Sequence, residues 1–128
     1  MGILFSAQAF SEIAVIVHPD NKTTLGEEEI KRLYLMKDKY FPNGSPVKIF
    51  NLAGEAQAKN EFYTKVLNKD EARLNSLWAR VLFSSAASPP ADVDSATSMK
   101  AAIAKNPTAI GFIDAKDVDD SVRVILRK

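Results

Sequence analysis

The sequence predicts an α/β fold, a three-layer α/β/α sandwich built on a small, mostly parallel sheet. Its 128 residues suit one domain, because two halves of this chain would each bury too small a core. The segment Ile13–Val17 is an unbroken apolar run, which is typical of a strand buried on both faces. Similar runs alternate with helical patterns along the chain, which favours helices on both faces of the sheet.

The first half of the chain predicts two strand–helix units. Thr24 and Glu27 have the spacing of a capping box, which marks the start of a short amphipathic helix. The pair Asn43-Gly44 predicts a turn before the next strand. The elements expected after the first strand are a helix at about 26–36, a strand at 47–52 and a longer helix from Gly54, whose buried side would hold Ala58, Phe62, Val66 and Leu67.

The second half begins with the clearest helical periodicity in the chain. Five apolar residues fall on one stripe that must face a core: Leu74, Leu77, Trp78, Val81 and Leu82. An irregular loop is expected over 84–93, and Ser95 caps a further helix that ends at Asn106-Pro107. Strands are predicted at 109–113 and 122–126, and the pattern leaves open whether this last pair is antiparallel.

The composition is that of an ordinary globular protein, with 46% hydrophobic and 26% charged residues and a formal net charge of +1. The basic residues do not cluster among aromatic ones, so the pattern predicts no nucleic-acid partner. No apolar run approaches the length of a membrane span. The chain has no cysteine, which excludes disulfides and thiolate chemistry, and no pattern predicts a cofactor or a metal ion.

The N-terminus predicts export to the periplasm. The segment Ile3–Ala9 resembles the end of a secretory signal peptide, an apolar stretch followed by an Ala-x-Ala cleavage site. Met1-Gly2 resembles an added start and the basic region is missing, so the signal is expected to be truncated. Residues 1–9 are then a signal remnant, and 10–128 form a single domain. The alternative is an N-terminal segment of the mature protein, whose apolar side chains would need a partner such as a second copy.

No pattern points to catalysis, and the chain is predicted not to be an enzyme. His18, the sole histidine, is expected at the carboxyl end of a central strand, where ligands gather in open α/β sheets. A small hydrolase would need Ser84, Ser85 or Ser88 beside His18, and no acid to orient the histidine is evident. Four aspartates lack the spacing of an EF-hand and are expected to form a solvated turn: Asp114, Asp117, Asp119 and Asp120.

Two segments could offer backbone N–H groups to a small oxyanion. One is the turn from the second strand into its helix, with Lys59 one helical turn further on; it contains Gly54, Glu55, Ala56 and Gln57. The other is a loop of small residues that contains Ser84, Ser85 and Ser88. Most helix starts and serine loops bind only water, so an anion site is one hypothesis among several.

In order and spacing, the segments resemble the second lobe of periplasmic phosphate-binding proteins of ABC importers, which have the type 2 periplasmic-binding-protein fold. The most specific match is Asn106–Ile113, which is close to the family's Asn-Pro-x-Ala-Ile-Gly-Tyr strand. The turn Phe41–Val47 is similar to its Trp-x-Asp-Gly-x-Pro-Ile turn. The other matching segments are Ala14–Pro19, Leu25–Leu35, Phe62–Leu67 and Trp78–Phe83.

The resemblance also implies that the family's phosphate motif is lost. In the family, an arginine and a Ser-Gly-Thr at the start of a helix hold phosphate in this lobe. The matching positions here are Leu52 and 56–58, where the sequence is Ala-Gln-Ala, and Glu55 adds a negative charge. We therefore expect a non-catalytic domain that is a weak anion binder or a protein-interaction module, including one that self-associates. The alternative is a functional substrate-binding component of a phosphate-type importer.

Overall fold

The computed structural model describes residues 12–84 and 87–128, and this part of the chain contains five strands and four α-helices. The strands are β1 (Ile13–Val17), β2 (Lys48–Leu52), β3 (Ala91–Val93), β4 (Ala109–Asp114) and β5 (Arg123–Arg127). The helices are α1 (Glu27–Tyr34), α2 (Ala56–Phe62), α3 (Glu71–Ser84) and α4 (Ala96–Lys105). A π-helical segment, Tyr63–Leu67, continues α2.

The strands form one sheet in the order β3-β2-β4-β1-β5. β2 is parallel to β3 and β4, whereas β1 lies between β4 and β5 and is antiparallel to both. Four strands therefore run in one direction and β1 runs against them. The mostly parallel sheet is confirmed, but β4 and β5 do not pair with each other, because β1 separates them.

Two neighbouring residues of β4 show that helices cover both faces of the sheet. The Phe112 ring stacks on Phe62 of α2, with centroids 3.8 Å apart, and the Tyr34 ring of α1 packs edge-on against Phe62. A Cβ atom on Gly111 would collide with the Met99 side chain of α4. Since neighbouring residues of a strand point to opposite faces, α1 and α2 cover one face and α4 the other. The predicted three-layer sandwich is confirmed.

Helix α3 packs less tightly than its apolar stripe predicts. Only Leu74 and Trp78 are buried, while Leu82 is 61% exposed. Trp78 anchors the helix, because its indole Nε1 donates to the Tyr34 carbonyl at 2.9 Å. The expectation that Leu82 faces a core was wrong. The apolar stripe is buried at Leu74 and Trp78, half-buried at Leu77 and Val81, and exposed at Leu82.

Two local predictions also fail. β3 lies inside the segment expected to be an irregular loop; its three residues pair with 50–52 of β2 although two of them are exposed. The residue that caps α1 is Gly26, whose backbone N–H donates to Glu29 Oε1 at 3.1 Å. The capping box predicted from Thr24 and Glu27 is therefore displaced by two residues.

Candidate functional site at the carboxyl edge of the sheet

The carboxyl ends of β2, β3 and β4 meet at one edge of the sheet, because these strands are parallel. Leu52 is level with Val93 at this edge. Helix α2 begins four residues after β2 ends, and α4 begins three residues after β3 ends. Both helix N-termini, with their partial positive charge, therefore lie at the same edge. In open sheets this edge is where ligands bind.

Gly54 brings the two helix starts together. A Cβ atom on Gly54 would lie 2.7 Å from the Asp94 Cα and would collide with the Asp94 carbonyl oxygen. The β2–α2 turn thus touches the backbone of the β3–α4 turn. Only glycine permits this approach, because the obstructing atoms belong to the backbone and have little freedom to move.

Glu55 places a carboxylate between these helices. It is the residue before α2, and its Oε2 accepts a hydrogen bond of 2.5 Å from the backbone N–H of Ala96, the first residue of α4. Ser95 caps the same helix, since its Oγ accepts from the Ser98 N–H at 3.1 Å. Two of the first N–H groups of α4 therefore have acceptors from within the chain, and one acceptor is negatively charged.

A cavity of about 280 Å³ lies between β2, β3, α2 and α3. Its lining includes Ala53, which follows β2 at this edge, and also Pro89 and Pro90, which precede β3. Its polar wall is a hydrogen-bonded chain in which the Tyr63 hydroxyl donates to Asn51 Oδ1 and Asn51 Nδ2 donates to Asp92 Oδ1, both at 3.1 Å. Asn51 is 4% exposed, so the chain fixes its amide orientation. Burial raises the pKa of Tyr63 to about 12, which keeps its hydroxyl protonated and donating.

The charges at this cavity do not favour an oxyanion. Lys59, the one cationic residue lining it, is paired with Glu71. Asp92 adds a second carboxylate to the wall. The lining therefore carries two negative groups and one positive group, and the positive group already has a counter-charge. A phosphate dianion would meet net repulsion.

The predicted anion-binding residues separate into two places. Gly54, Glu55, Ala56 and Gln57 lie together at the carboxyl edge, with Lys59 one turn along α2. Ser88 lies at the opposite edge, before β3, where it lines a cavity with Tyr40 and Val47. Ser84 ends α3, and its Oγ donates to the Val81 carbonyl at 3.0 Å. Ser85 lies outside the described residues. The two segments do not converge on one ligand.

His18 also lies away from the carboxyl edge. It follows β1, which runs against the parallel strands, and Val17 is level with Ile110 near the start of β4. Its Nδ1 accepts from the Asp20 N–H at 3.0 Å, so the side chain closes a turn. The expectation that His18 stands with the ligand-binding strand ends was wrong, because the direction of β1 is reversed. β2 and β4 separate β1 from β3, which follows the serine loop.

The described residues contain no group of three or more His, Asp or Glu side chains arranged to hold a metal ion. In the aspartate cluster, Asp119 Oδ2 accepts from Lys100 Nζ at 2.8 Å, and Asp114 Oδ1 accepts from the Lys116 N–H. Across 12–84 and 87–128, no helix combines the length and the apolar character that crossing a bilayer requires. The segment expected to be a signal remnant lies outside the described residues.

The sequence matches no family model and no curated protein. Solved structures share its fold. An ABC-type phosphate transport receptor from Vibrio cholerae has a TM-score of 0.68 at 17% identity, over 97% of this chain and 52% of that one. A protein described as a phosphate ABC transporter substrate-binding protein with bound phosphate, from Clostridium perfringens, has a TM-score of 0.64 at 21% identity, over 90% and 45%. PstS from Borrelia burgdorferi has a TM-score of 0.64 at 13% identity, over 90% and 47%.

At these identities the likeness shows the fold, and the chain spans about half the length of the solved structures it matches. The resemblance to phosphate receptors predicted from the sequence is thus confirmed for the fold. A match to about half of each receptor chain agrees with the size of one receptor lobe.

Proposed function

We propose that this chain is a non-catalytic, periplasmic domain that has the fold of one receptor lobe, does not bind phosphate tightly and works as a protein-interaction module. The observation that carries the proposal is the position of Glu55. Its carboxylate accepts from the first N–H of α4 at the edge where the parallel strands end. The chain thus supplies its own anion to the N-terminus of α4 at this edge.

Residues 52 and 56 offer no side-chain donors to an anion, and carboxylates near them would repel it. Leu52 is fully buried and apolar, and Ala56 begins α2 without a hydroxyl group. Each hydrogen bond to a charged ligand contributes about 1.5–3 kcal/mol, so the loss of several would remove most of the affinity for phosphate. Glu55 and Asp92 add carboxylates at the same edge, which opposes binding further.

The interaction role is supported by two apolar side chains near the end of α3 that are in contact with water. Leu82 is 61% exposed and lines the cavity that Asn51 and Lys59 also line. Phe83, the next residue of α3, is 86% exposed. Large apolar side chains that a domain leaves exposed together often mark the surface on which a protein partner docks.

The N-terminal sequence and the shared fold support the proposed location, and the contacts of His18 and Ser84 support the lack of catalysis. The apolar stretch with an Ala-x-Ala site in residues 1–9 is typical of export, and the fold is shared with receptors described as parts of ABC transporters. His18 closes a turn and Ser84 donates to its own helix, so neither is prepared to activate the other.

Isothermal calorimetry with phosphate, sulfate and small carboxylates tests the proposal. We expect no saturable heat for the wild-type chain at millimolar ligand. The Glu55→Gln variant removes the charge while it keeps an acceptor oxygen. It therefore shows whether repulsion by the Glu55 carboxylate lowers the affinity for phosphate. Micromolar binding of phosphate by the wild-type chain would contradict the proposal and favour a functional substrate-binding component of an importer instead.

A further inference from the structure

One face of α3 combines exposed cations with apolar side chains. Arg73, Leu77, Arg80 and Phe83 follow at steps of four, three and three residues, so they lie on the same side of the helix. Both arginines and Phe83 are exposed, and Leu77 is half-buried. We call these four residues the α3 outer face.

A groove of about 440 Å³ runs beside this face. Its buried apolar residues are Leu35 and Leu74, and Leu77 lies between them and the solvent. The cations that line it are Lys69, Arg73 and Arg80. The groove therefore joins an apolar floor to a positively charged rim.

The rim cations are available to a partner. Arg32 pairs with Asp38 at 2.8 Å, and Arg127 pairs with Glu12 at 3.3 Å. Among the described residues, no carboxylate pairs in this way with the side chains of Arg73 and Arg80. Asp70, the one acid that lines the groove, accepts from the backbone N–H of Arg73 at 2.8 Å and so stabilises the start of α3. The groove has an excess of positive charge that the chain itself does not neutralise.

We propose that the α3 outer face docks an acidic, helical segment of a partner protein. Arg73 and Arg80 are two helical turns apart, so their Cα atoms are separated by about 10 Å. A matching segment presents two carboxylates at this separation with an apolar side chain between them. Each guanidinium group then pairs with one carboxylate, while the apolar side chain packs against Leu77 and the groove.

The apolar floor distinguishes this partner from other polyanions. Nucleic acid presents phosphates but no aliphatic side chain at a fixed distance between them. Phe83 extends the apolar part of the surface beyond Arg80, where it would contact a longer segment. The inference rests on the proposed function as an interaction module, and it names the surface and the chemistry of the partner.

The test uses the full chain and a synthetic helical peptide with two glutamates seven positions apart and leucines between them. We expect saturable binding by fluorescence anisotropy at low ionic strength, with a dissociation constant of about 100 μM. The double variant Arg73→Gln/Arg80→Gln should weaken binding about tenfold. A matched double variant, Lys105→Gln/Lys116→Gln, loses the same charge from two other exposed positions and should bind within about twofold of the wild type.

Three results would overturn the inference. They are equal binding of a peptide with glutamine in place of both glutamates, equal binding by both double variants, and binding to anionic lipid vesicles with no binding of the acidic peptide. Calorimetry with small anions tests the carboxyl edge, and anisotropy with the acidic peptide tests the α3 outer face. A failure of either measurement therefore leaves the other interpretable.

Discussion

At the scale of single residues, Glu55 stabilises the start of α4 from another part of the chain. Replacing it with alanine leaves the Ala96 N–H without this acceptor, and we expect a loss of about 1–2 kcal/mol in the free energy of unfolding. Glu55→Gln should lose less, because its amide oxygen still accepts. Urea denaturation measures both. Glu28→Ala, at an exposed position in the first turn of α1, is the control and should change stability by less than about 0.5 kcal/mol.

Two buried tyrosines, Tyr34 and Tyr63, should make the free energy of unfolding depend on pH in the alkaline range. Burial raises the pKa of Tyr63 from 10.0 to about 12 in the folded chain, and burial also raises the pKa of Tyr34. In the unfolded chain both ionise near their ordinary pKa, so the folded state loses stability as the pH rises above about 10. The stabilisation is fully present below that pH. Each tyrosine contributes a slope of up to about 1.4 kcal/mol per pH unit.

Chemical denaturation between pH 9 and pH 11.5 measures this slope. Tyr63→Phe should be destabilised by about 1 kcal/mol at neutral pH, because it loses the hydrogen bond to Asn51. It should also show a shallower decline above pH 10, since one of the two buried phenols is gone. An unchanged decline in this variant would show that Tyr63 is not protected from ionisation in the folded chain.

At the scale of elements, α3 divides into an anchored side and a side in water. Leu74→Ala should lower the free energy of unfolding by about 2–5 kcal/mol, because it leaves a cavity under the helix. Leu82→Gln should change the free energy of unfolding by less than about 0.5 kcal/mol, since its side chain is mostly exposed. Thermal melts of the two variants compare them directly. A large loss for Leu82→Gln would mean that this residue packs against the domain after all.

The elements also show what the sequence predicts and what it does not. Apolar runs located β1, β2, β4 and β5 within a residue or two, because a buried strand needs such a run. The three-residue strand β3 was missed, since Ala91-Asp92-Val93 pairs along one edge of β2 and needs no apolar pattern. The burial of Leu82 was overestimated, because periodicity defines an apolar face without showing how far a neighbouring element extends to cover it.

At the scale of the whole molecule, the candidate site could be predicted only in part. The turn at Gly54 could be located from the sequence, because a helix follows a strand there. The contact between Glu55 and Ala96 joins residues 41 positions apart, and no local pattern predicts it. The position of His18 depended on the direction of β1, which a β-branched run does not specify. The Glu55–Ala96 contact and the position of His18 both depend on the topology of the sheet, and local sequence patterns carry little information about that topology.

We propose that the chain's own carboxylate, Glu55, closes the carboxyl edge of this fold to phosphate. The most direct measurement is a phosphate titration of the ¹⁵N-labelled wild-type chain, followed by the amide signals of residues 53–58 and 95–98. We expect that these signals do not shift in a saturable way at millimolar phosphate. Saturable shifts confined to these amides, with micromolar affinity, would contradict it.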